Sequence, residues 1–187
     1  MKIAFIGSHG VGKTTLCFEL AARLKRLEMS VDLVKEVARS CPLPINRDTT
    51  LDAQRWILYS QIAQEIAAAS HFEAVICDRS VLDNYAYLVH RVGPQAEMEP
   101  LVERWVGTYS ALIKVPVLRP PSFDGTRDTN AEFQRDIDRL IDRLVVRFPA
   151  RVHRLEPQRS HEWVADTLGF LGLPTEPPQI DLFGEER

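Results

Sequence analysis

The stretch GSHGVGKTT, residues 7–15, restricts the fold of this chain more than any other part of the sequence. Its spacing satisfies the pattern G-x-x-x-x-G-K-[ST], in which successive backbone N–H groups turn inward around a di- or triphosphate. The apolar run KIAFI comes directly before it, and leucines at helical spacing follow it at Leu16, Leu20, Leu24 and Leu27. Because strand, glycine loop and helix form the context that this pattern requires, the sequence predicts a phosphate-binding loop.

The residue types within this loop predict what each position contributes. The Lys13 ammonium supplies a point charge for the β- and γ-phosphates, and the Thr14 hydroxyl offers an oxygen ligand to Mg²⁺. The loop also leads into a helix N-terminus, where the helix dipole favours anions. We therefore expect a nucleoside triphosphate to contact Gly7, Gly10, Val11, Gly12, Lys13, Thr14 and Thr15.

The size and charge of the chain argue against several classes of protein. Its 187 residues, of which 45% are hydrophobic and 26% charged, suit one globular domain rather than a disordered chain. The net charge of −3 and the absence of a lysine or arginine run argue against nucleic acid as a partner. No apolar run approaches the length that spans a membrane, and the early glycine loop leaves no room for a signal peptide. Three cysteines without C-x-x-C spacing suit a reducing compartment, so we expect a soluble cytoplasmic protein whose oligomeric state stays open.

Apolar segments of strand length alternate with segments of helical periodicity along the chain. The predicted strands cover residues 2–6, 31–36, 73–80, 111–117 and 150–157. This alternation predicts an α/β fold with a five-stranded parallel sheet and helices on both faces, and the glycine loop makes it a P-loop NTPase. We expect one domain over residues 1–172, a lid-like excursion over about residues 118–129, and a proline-rich acidic tail over residues 173–187.

Three hydroxyl residues have capping-box spacing and predict helix starts. The pairs are Thr49 with Asp52, Ser80 with Asp83, and Thr129 with Glu132.

Polar residues follow the third predicted strand, at the edge of the sheet where functional residues of such folds gather. Asp78 comes after the apolar run AVIC, as does a carboxylate that reaches Mg²⁺ beside the phosphate loop; capping of a turn is the alternative. Arg79 comes next. Its guanidinium either holds a substrate group bidentately or pairs with a neighbouring acid.

Four pieces of sequence, taken in order and at their distances, resemble one family of enzymes. They are GSHGVGKTT, KEVAR at residues 35–39, CDRSVLDNYAY at 77–87 and DGTRD at 124–128. Over about residues 1–155 the chain is similar to small P-loop kinases and ATPases related to the ribosylnicotinamide kinase domain and, more distantly, to deoxynucleoside and thymidylate kinases. The resemblance implies a nucleoside-monophosphate-kinase-like fold and Mg²⁺-ATP as the phosphate donor. It also implies an acceptor hydroxyl near the carboxylate that ends the second strand, and a mobile lid bearing arginine.

The same resemblance carries roles to individual positions. Glu36 matches the carboxylate that binds or deprotonates the acceptor hydroxyl, and Arg39 matches its companion in the acceptor pocket. The alternative is a surface ion pair, because the two residues stand three positions apart. Gln61 lies on the helix that lines the acceptor site in such kinases, where it either reads a base or amide edge or is simply solvated.

The predicted lid supplies two arginines. Arg127 matches the cation that stabilises the transition state on closure, and Arg119 is a second candidate for contact with ATP. Solvated loop arginines are the alternative for both.

The leading hypothesis is a kinase that transfers the γ-phosphate of Mg²⁺-ATP to a hydroxyl of a small, nucleoside-like acceptor. Its catalytic residues are Lys13, Glu36, Asp78 and Arg127. The aromatic positions that clamp a nucleobase in deoxynucleoside kinases have no match here, so the acceptor itself stays open. A stand-alone P-loop ATPase or a nucleotide-binding switch acting through a protein partner is the alternative. A regulatory GTPase is disfavoured because no N-K-x-D motif occurs, and a polynucleotide kinase because no basic groove is indicated.

Overall fold

Five strands lie in one sheet within residues 1–45, 48–121 and 129–176, the parts of the chain that this computed structural model describes. The strands are β1 Lys2–Ile6, β2 Val31–Val34, β3 Ala74–Asp78, β4 Ala111–Lys114 and β5 Val152–Arg154. Their order across the sheet is β2-β3-β1-β4-β5, and every neighbouring pair is parallel. The predicted five-stranded parallel α/β fold is confirmed.

Six α-helices occur in the described parts of the chain. They are α1 Lys13–Arg26, α2 Leu51–Ala69, α3 Val81–Val92, α4 Glu99–Val106, α5 Ala131–Arg147 and α6 Trp163–Leu171. Short 3-10 turns cover Val37–Ser40 and Pro157–Glu162. Among the helices described, none combines the length and the apolar character that crossing a membrane would require.

The helices cover both faces of the sheet because strand residues alternate between two buried layers. Ala4 and Ile6 of β1 pack with residues of α2 to α5, whereas Ile3 and Phe5 pack with residues of α1 and α6. Both layers are apolar, and the glycine loop and Arg79 follow the carboxyl ends of β1 and β3.

The helix starts differ in detail from the capping-box predictions. Ser80 caps α3 with the complete reciprocal box, in which its side chain accepts from Asp83 N while Asp83 accepts from Ser80 N. For α2 and α5 the prediction is wrong by one residue, because Thr50 and Asn130 provide the caps. Each of these side chains accepts from the backbone amide three positions later, so the residue with the better cap geometry starts the helix.

The second strand ends earlier than its sequence pattern predicts. It stops at Val34, and Glu36 precedes the 3-10 turn Val37–Ser40 instead of continuing the strand. Because this turn bends the chain away from the sheet, both Glu36 and Arg39 line the cleft beside the glycine loop.

The strand register places Asp78 beside the origin of the glycine loop. Phe5 of β1 pairs with Asp78 of β3, and the loop leaves β1 after the next residue, Ile6. The predicted position of Asp78 on the strand next to the glycine loop is therefore confirmed.

Candidate active site

The glycine loop is held in place by its own backbone and by α3. Gly7 has a φ of 144°, and a Cβ atom there would lie 2.9 Å from the Val115 carbonyl oxygen, so only glycine fits. Gly12 adopts the left-handed conformation with a φ of 94° directly before α1. The Gly7 amide donates to Asp83 Oδ1 at 2.9 Å, so the residue that completes the cap of α3 also anchors the loop.

Lys13 is buried within this loop with only carbonyl oxygens as partners. Its Nζ donates to Gly7 O at 2.9 Å and to Ser8 O at 2.6 Å. Burial and, to a lesser extent, the charge of Arg79 lower the pKa of Lys13, nearby carboxylates offset this in part, and the net pKa is about 8. A phosphate oxygen would bring Lys13 the full negative charge that carbonyl dipoles lack, so the position suits an incoming phosphate.

Thr14 and Asp78 place two hard oxygen ligands together beside the loop. Thr14 Oγ1 donates to Asp78 Oδ2 at 2.5 Å, and Asp78 is 5% exposed. Mg²⁺ takes oxygen ligands and usually binds through one or two protein side chains together with phosphate and water. A hydroxyl and a carboxylate next to a phosphate-binding loop therefore fit Mg²⁺.

Glu36 links two arginines on the other side of the cleft. Its Oε1 accepts from Arg79 Nε at 2.8 Å and lies 2.7 Å from Arg79 Nη2. Its Oε2 accepts from Arg39 Nε at 2.8 Å. The predicted ion pair between Glu36 and Arg39 therefore exists; Arg39 is exposed, with 42% of its side chain accessible, and the pair lies at the surface where it also lines the cleft.

The charge of Glu36 is strongly favoured. Burial by itself would raise the pKa of its carboxyl, but Arg79 and Lys13 outweigh burial and hold the pKa at about 2. Glu36 is therefore an ionised hydrogen-bond acceptor at neutral pH and a weak base. It is better suited to orienting a hydroxyl than to holding its proton.

Arg79 occupies an unusual backbone conformation at the centre of this group. Its φ is 93°, in the left-handed region that non-glycine residues rarely adopt. Its guanidinium lies over the Tyr87 ring at 4.8 Å, and its buried Nη1 has no hydrogen-bond partner. Backbone strain and a buried unsatisfied donor at one residue are typical of a functional site.

The cleft between the glycine loop and α2 has about 900 Å³ of empty volume, including its open mouth. It is lined by residues 10–15 of the loop, by Glu36 and Arg79, and by Gln54 of α2 and Asn84 of α3. Gln54 Oε1 and Asn84 Nδ2 are buried without a partner. One end of the cleft therefore offers phosphate ligands, and the other end offers an acceptor and a donor that a second molecule can satisfy.

Sequence reasoning pointed to the wrong glutamine of α2. Gln61 has no exposed surface, and its Nε2 donates to Glu65 Oε1 at 2.8 Å and to the Arg79 carbonyl oxygen at 3.3 Å. It does not line the cleft, so its position supports neither substrate contact nor the solvated alternative. Gln54, two helical turns earlier on the same face, does line the cleft.

The glycine-loop histidine was also missed. His9 Nδ1 lies 3.1 Å from the Tyr87 hydroxyl, and its ring packs on Phe133 at 5.3 Å. Gln134 of α5 donates to the His9 carbonyl oxygen at 2.9 Å. The cleft residues of α3 could have been predicted from their spacing. Asn84 and Tyr87 stand three positions apart, so they lie on one face of α3, the helix that begins directly after Arg79 and Ser80.

Of the two predicted lid arginines, only Arg119 belongs to the described residues. Arg119 is exposed and does not line the cleft. Arg127 lies outside the described residues, as do most of the predicted lid and of the predicted tail. Their proposed contacts stay predictions.

A family model described as an AAA domain matches residues 2–162. Solved structures of two kinases share the fold. A thymidylate kinase from Ehrlichia chaffeensis has a TM-score of 0.68 at 17% identity, covering 92% of this chain and 98% of its own. A deoxyadenosine kinase from M. mycoides, solved with dCMP and dCDP, has a TM-score of 0.64 at 15% identity, covering 92% and 99%. No curated protein sequence matches. The predicted relation to deoxynucleoside and thymidylate kinases is confirmed at the level of the fold.

Proposed function

This chain belongs to the AAA domain family, and from that premise we propose that it is an ATP-dependent kinase acting on a small molecule. The reaction transfers the γ-phosphate of ATP to a hydroxyl of a nucleoside or a nucleoside-like acceptor. The kinase-like P-loop fold supports phosphotransfer as the type of reaction.

One observation carries this proposal. The cleft continues from the phosphate-binding loop into a pocket lined by Glu36, Arg79, Gln54 and Asn84, and three of these four side chains keep a buried polar atom without a partner. Buried polar groups in folded proteins are normally satisfied, so unsatisfied ones grouped in a cleft indicate a ligand. An ATPase that needs only water has no use for such a pocket.

The residues divide the reaction between them. Lys13 and the loop amides bind the phosphates, and Thr14 with Asp78 holds Mg²⁺, which when bound neutralises the charge on the phosphate oxygens. The Glu36 carboxylate accepts a hydrogen bond from the acceptor hydroxyl and aims its oxygen at the γ-phosphate. Arg79 fixes Glu36 and offers its free Nη1 to the acceptor. Because phosphoryl transfer passes through a loose transition state, this positioning matters more than a strong base.

Residues outside the cleft also have roles in the proposed reaction. We assign the transition-state cation to Arg127 and a contact with ATP to Arg119. Residues 1–172 constitute the kinase domain. The three free thiols, Cys17, Cys41 and Cys77, suit the cytoplasm.

The experiment is a panel of acceptors with ATP and Mg²⁺, followed by ADP release. It contains nucleosides, nucleoside monophosphates, ribosylnicotinamide and sugars, each run against the protein without acceptor and against Glu36→Gln. We expect one class of acceptor to raise ADP release well above the rate of hydrolysis in wild type but not in Glu36→Gln. If no small molecule does so and only a protein partner stimulates turnover, the ATPase or switch alternative replaces the kinase.

A further inference from the structure

Glu65 of α2 is a buried carboxylate that lies outside the cleft and accepts four hydrogen bonds. Its Oε2 accepts from Lys2 Nζ and from Trp105 Nε1, both at 2.7 Å. Its Oε1 accepts from Tyr109 Oη at 2.6 Å and from Gln61 Nε2 at 2.8 Å. Lys2 Nζ also lies 4.3 Å from the centre of the Trp105 ring and 4.4 Å from that of Tyr109. We call these five residues the Glu65 network.

A contribution to stability does not by itself explain why a charged network is buried here. Taking a carboxylate and an ammonium out of water costs several kcal/mol per ion, and replacing a buried pair with apolar residues of similar volume is often neutral or stabilising. The surrounding layer is otherwise apolar, with Leu58, Ala68 and Val106 buried in it. A positional role of the network explains its presence better.

The two hydrogen bonds on Oε1 lead to the turn that carries Arg79. Gln61 Nε2 also donates to the Arg79 carbonyl oxygen at 3.3 Å. The Tyr109 hydroxyl, which donates to Glu65, accepts from the Val81 amide at 3.0 Å. The network therefore holds a peptide group on each side of Ser80.

The remaining backbone groups of this turn are fixed by other elements. The Arg79 amide donates to the Phe5 carbonyl oxygen of β1, and the Ser80 amide donates to Asp83 Oδ2. A φ of 93° is strained for a residue other than glycine and persists only where its surroundings enforce it. Two of the enforcing hydrogen bonds involve Gln61, which donates to the Arg79 carbonyl oxygen, and Tyr109, which accepts from the Val81 amide. Glu65 orients both side chains because each also donates to its carboxylate.

We propose that Glu65 is a positioning residue for Arg79, which it holds in its strained conformation through Gln61 and Tyr109 so that the guanidinium faces Glu36 and the acceptor. The inference rests on the proposed function where it assigns Arg79 to the acceptor. It does not depend on which acceptor is used.

The first test compares three conservative variants of the network. Gln61→Met and Tyr109→Phe each remove a link to the turn, whereas Trp105→Phe removes a hydrogen bond from the same carboxylate on the side away from the turn. We expect the first two to lower kcat/KM for the acceptor by about 10- to 100-fold, with the Kd for Mg²⁺-ATP and acceptor-independent hydrolysis unchanged. Trp105→Phe should lower the melting temperature to a similar extent and leave kcat/KM unchanged. Equal kinetic losses in all three, or none in the first two, overturn the proposal.

The second test needs no acceptor and therefore separates the two proposals. Amide hydrogen exchange of Val81 and the NMR signal of Arg79 Nε–H report on the turn itself. In Gln61→Met and Tyr109→Phe we expect the Arg79 signal to shift, and in Tyr109→Phe the Val81 amide should exchange about tenfold faster or more, because it loses its acceptor. Trp105→Phe should change neither. If these changes occur in a protein that phosphorylates no small molecule, positioning stands and the kinase assignment fails; if they are absent, positioning fails whatever the activity.

Discussion

Glu36 and Glu65 are carboxylates that each pair with a buried cation, but Glu65 is fully enclosed whereas Glu36 is only partly buried. Glu65 receives hydrogen bonds from four side chains, and aromatic rings cover its partner Lys2. Glu36 receives its hydrogen bonds from two arginines and lies on the wall of an open cleft. Beside Glu36, buried polar atoms of Arg79, Gln54 and Asn84 have no partner.

This difference indicates which of the two polar clusters binds a ligand. The Glu65 network leaves one buried polar atom without a partner, Gln61 Oε1, but Gln61 has no exposed surface and does not line the cleft. The unpartnered atoms beside Glu36 belong to residues that line an open cleft, where a ligand can supply their partners. Both clusters contact the turn at Arg79, from opposite sides. Arg79 therefore connects the two clusters, because its carbonyl oxygen accepts from Gln61 and its guanidinium donates to Glu36.

The largest expected effect is that of Lys13→Met on the cleft. Transfer should fall below detection and Mg²⁺-ATP binding should weaken, because no other described cation lies within the loop to meet the β- and γ-phosphates. The unfolding temperature of the free protein should not fall, since the variant removes a charge that burial disfavours. ADP release, calorimetric ATP titration and thermal unfolding measure the three quantities.

Lys114→Met is the matched control for Lys13→Met. Lys114 is a buried lysine of β4 that already has a partner, Asp138 Oδ1 at 2.5 Å. We expect this variant to lose stability and keep transfer. An equal loss of activity in Lys13→Met and Lys114→Met would contradict the view that Lys13 serves a ligand whereas Lys114 serves only its partner Asp138.

The next effect concerns stability in the Glu65 network. Glu65→Gln should lower the free energy of unfolding by about 3–5 kcal/mol, because it leaves the Lys2 ammonium buried without its counter-charge. The double variant Lys2→Met/Glu65→Leu should recover much of this loss. Urea unfolding measures both, with Glu36→Gln as the comparison. Because Glu36 lies on the wall of an open cleft, where solvent can compensate for the lost charge, Glu36→Gln should lower the free energy of unfolding less than Glu65→Gln does. An equal loss of stability in both variants would remove the distinction between Glu36 and Glu65.

A smaller effect distinguishes the roles of Glu36 and Asp78, the two carboxylates of the cleft, in transfer and in Mg²⁺ binding. Glu36→Gln should lower transfer to the acceptor about 100-fold, the scale expected when a reacting hydroxyl loses the group that orients it, while Mg²⁺-ATP binding and slow hydrolysis persist. Asp78→Asn should instead raise the Mg²⁺ concentration that every ATP-dependent property requires. Titration of Mg²⁺ and ATP with and without acceptor tests both. If Glu36→Gln loses Mg²⁺-ATP binding and Asp78→Asn keeps it, the two roles are reversed.

The smallest effect is a pH dependence of the cleft. The Lys13 pKa of about 8 in the free protein means that its charge is lost above pH 8, so the Kd for Mg²⁺-ATP should rise by about tenfold per pH unit there. Unfolded Lys13 keeps its proton up to its ordinary value of 10.5. Between pH 8 and 10.5 the unfolded chain therefore binds more protons, and wild type should gain stability relative to Lys13→Met as pH rises.

Lys13→Arg is the control for this pH dependence. A guanidinium keeps its charge throughout this range, so the affinity of the variant for Mg²⁺-ATP, whatever its value at pH 7, should stay flat. Calorimetric titrations between pH 7 and 9.5 measure the slope. A flat affinity in wild type would show that Lys13 keeps its proton in the folded protein.

The sequence predicted those parts of the site that depend on local pattern. The glycine loop, the strand before it, the parallel sheet and the place of Asp78 all follow from spacing and periodicity. The choice between Gln54 and Gln61 did not, because both residues lie on the same side of α2. Both are buried, and which of them lines the cleft depends on tertiary contacts, since Gln61 is held by Glu65 and by the Arg79 carbonyl oxygen from another part of the chain. The start of α2 was wrong by one residue for a related reason, since Thr49 and Thr50 offer the same cap chemistry and tertiary packing selects one.

The left-handed backbone of Arg79 also has an evolutionary consequence. Glycine is the residue that tolerates this conformation best, and asparagine the next, so an arginine persists here only while selection acts on its side chain. In lineages where the acceptor reaction has been lost, this position should drift toward glycine or asparagine while the core beneath it stays the same. The identity of a single residue at this turn thus becomes a record of whether a descendant of this chain still performs its chemistry.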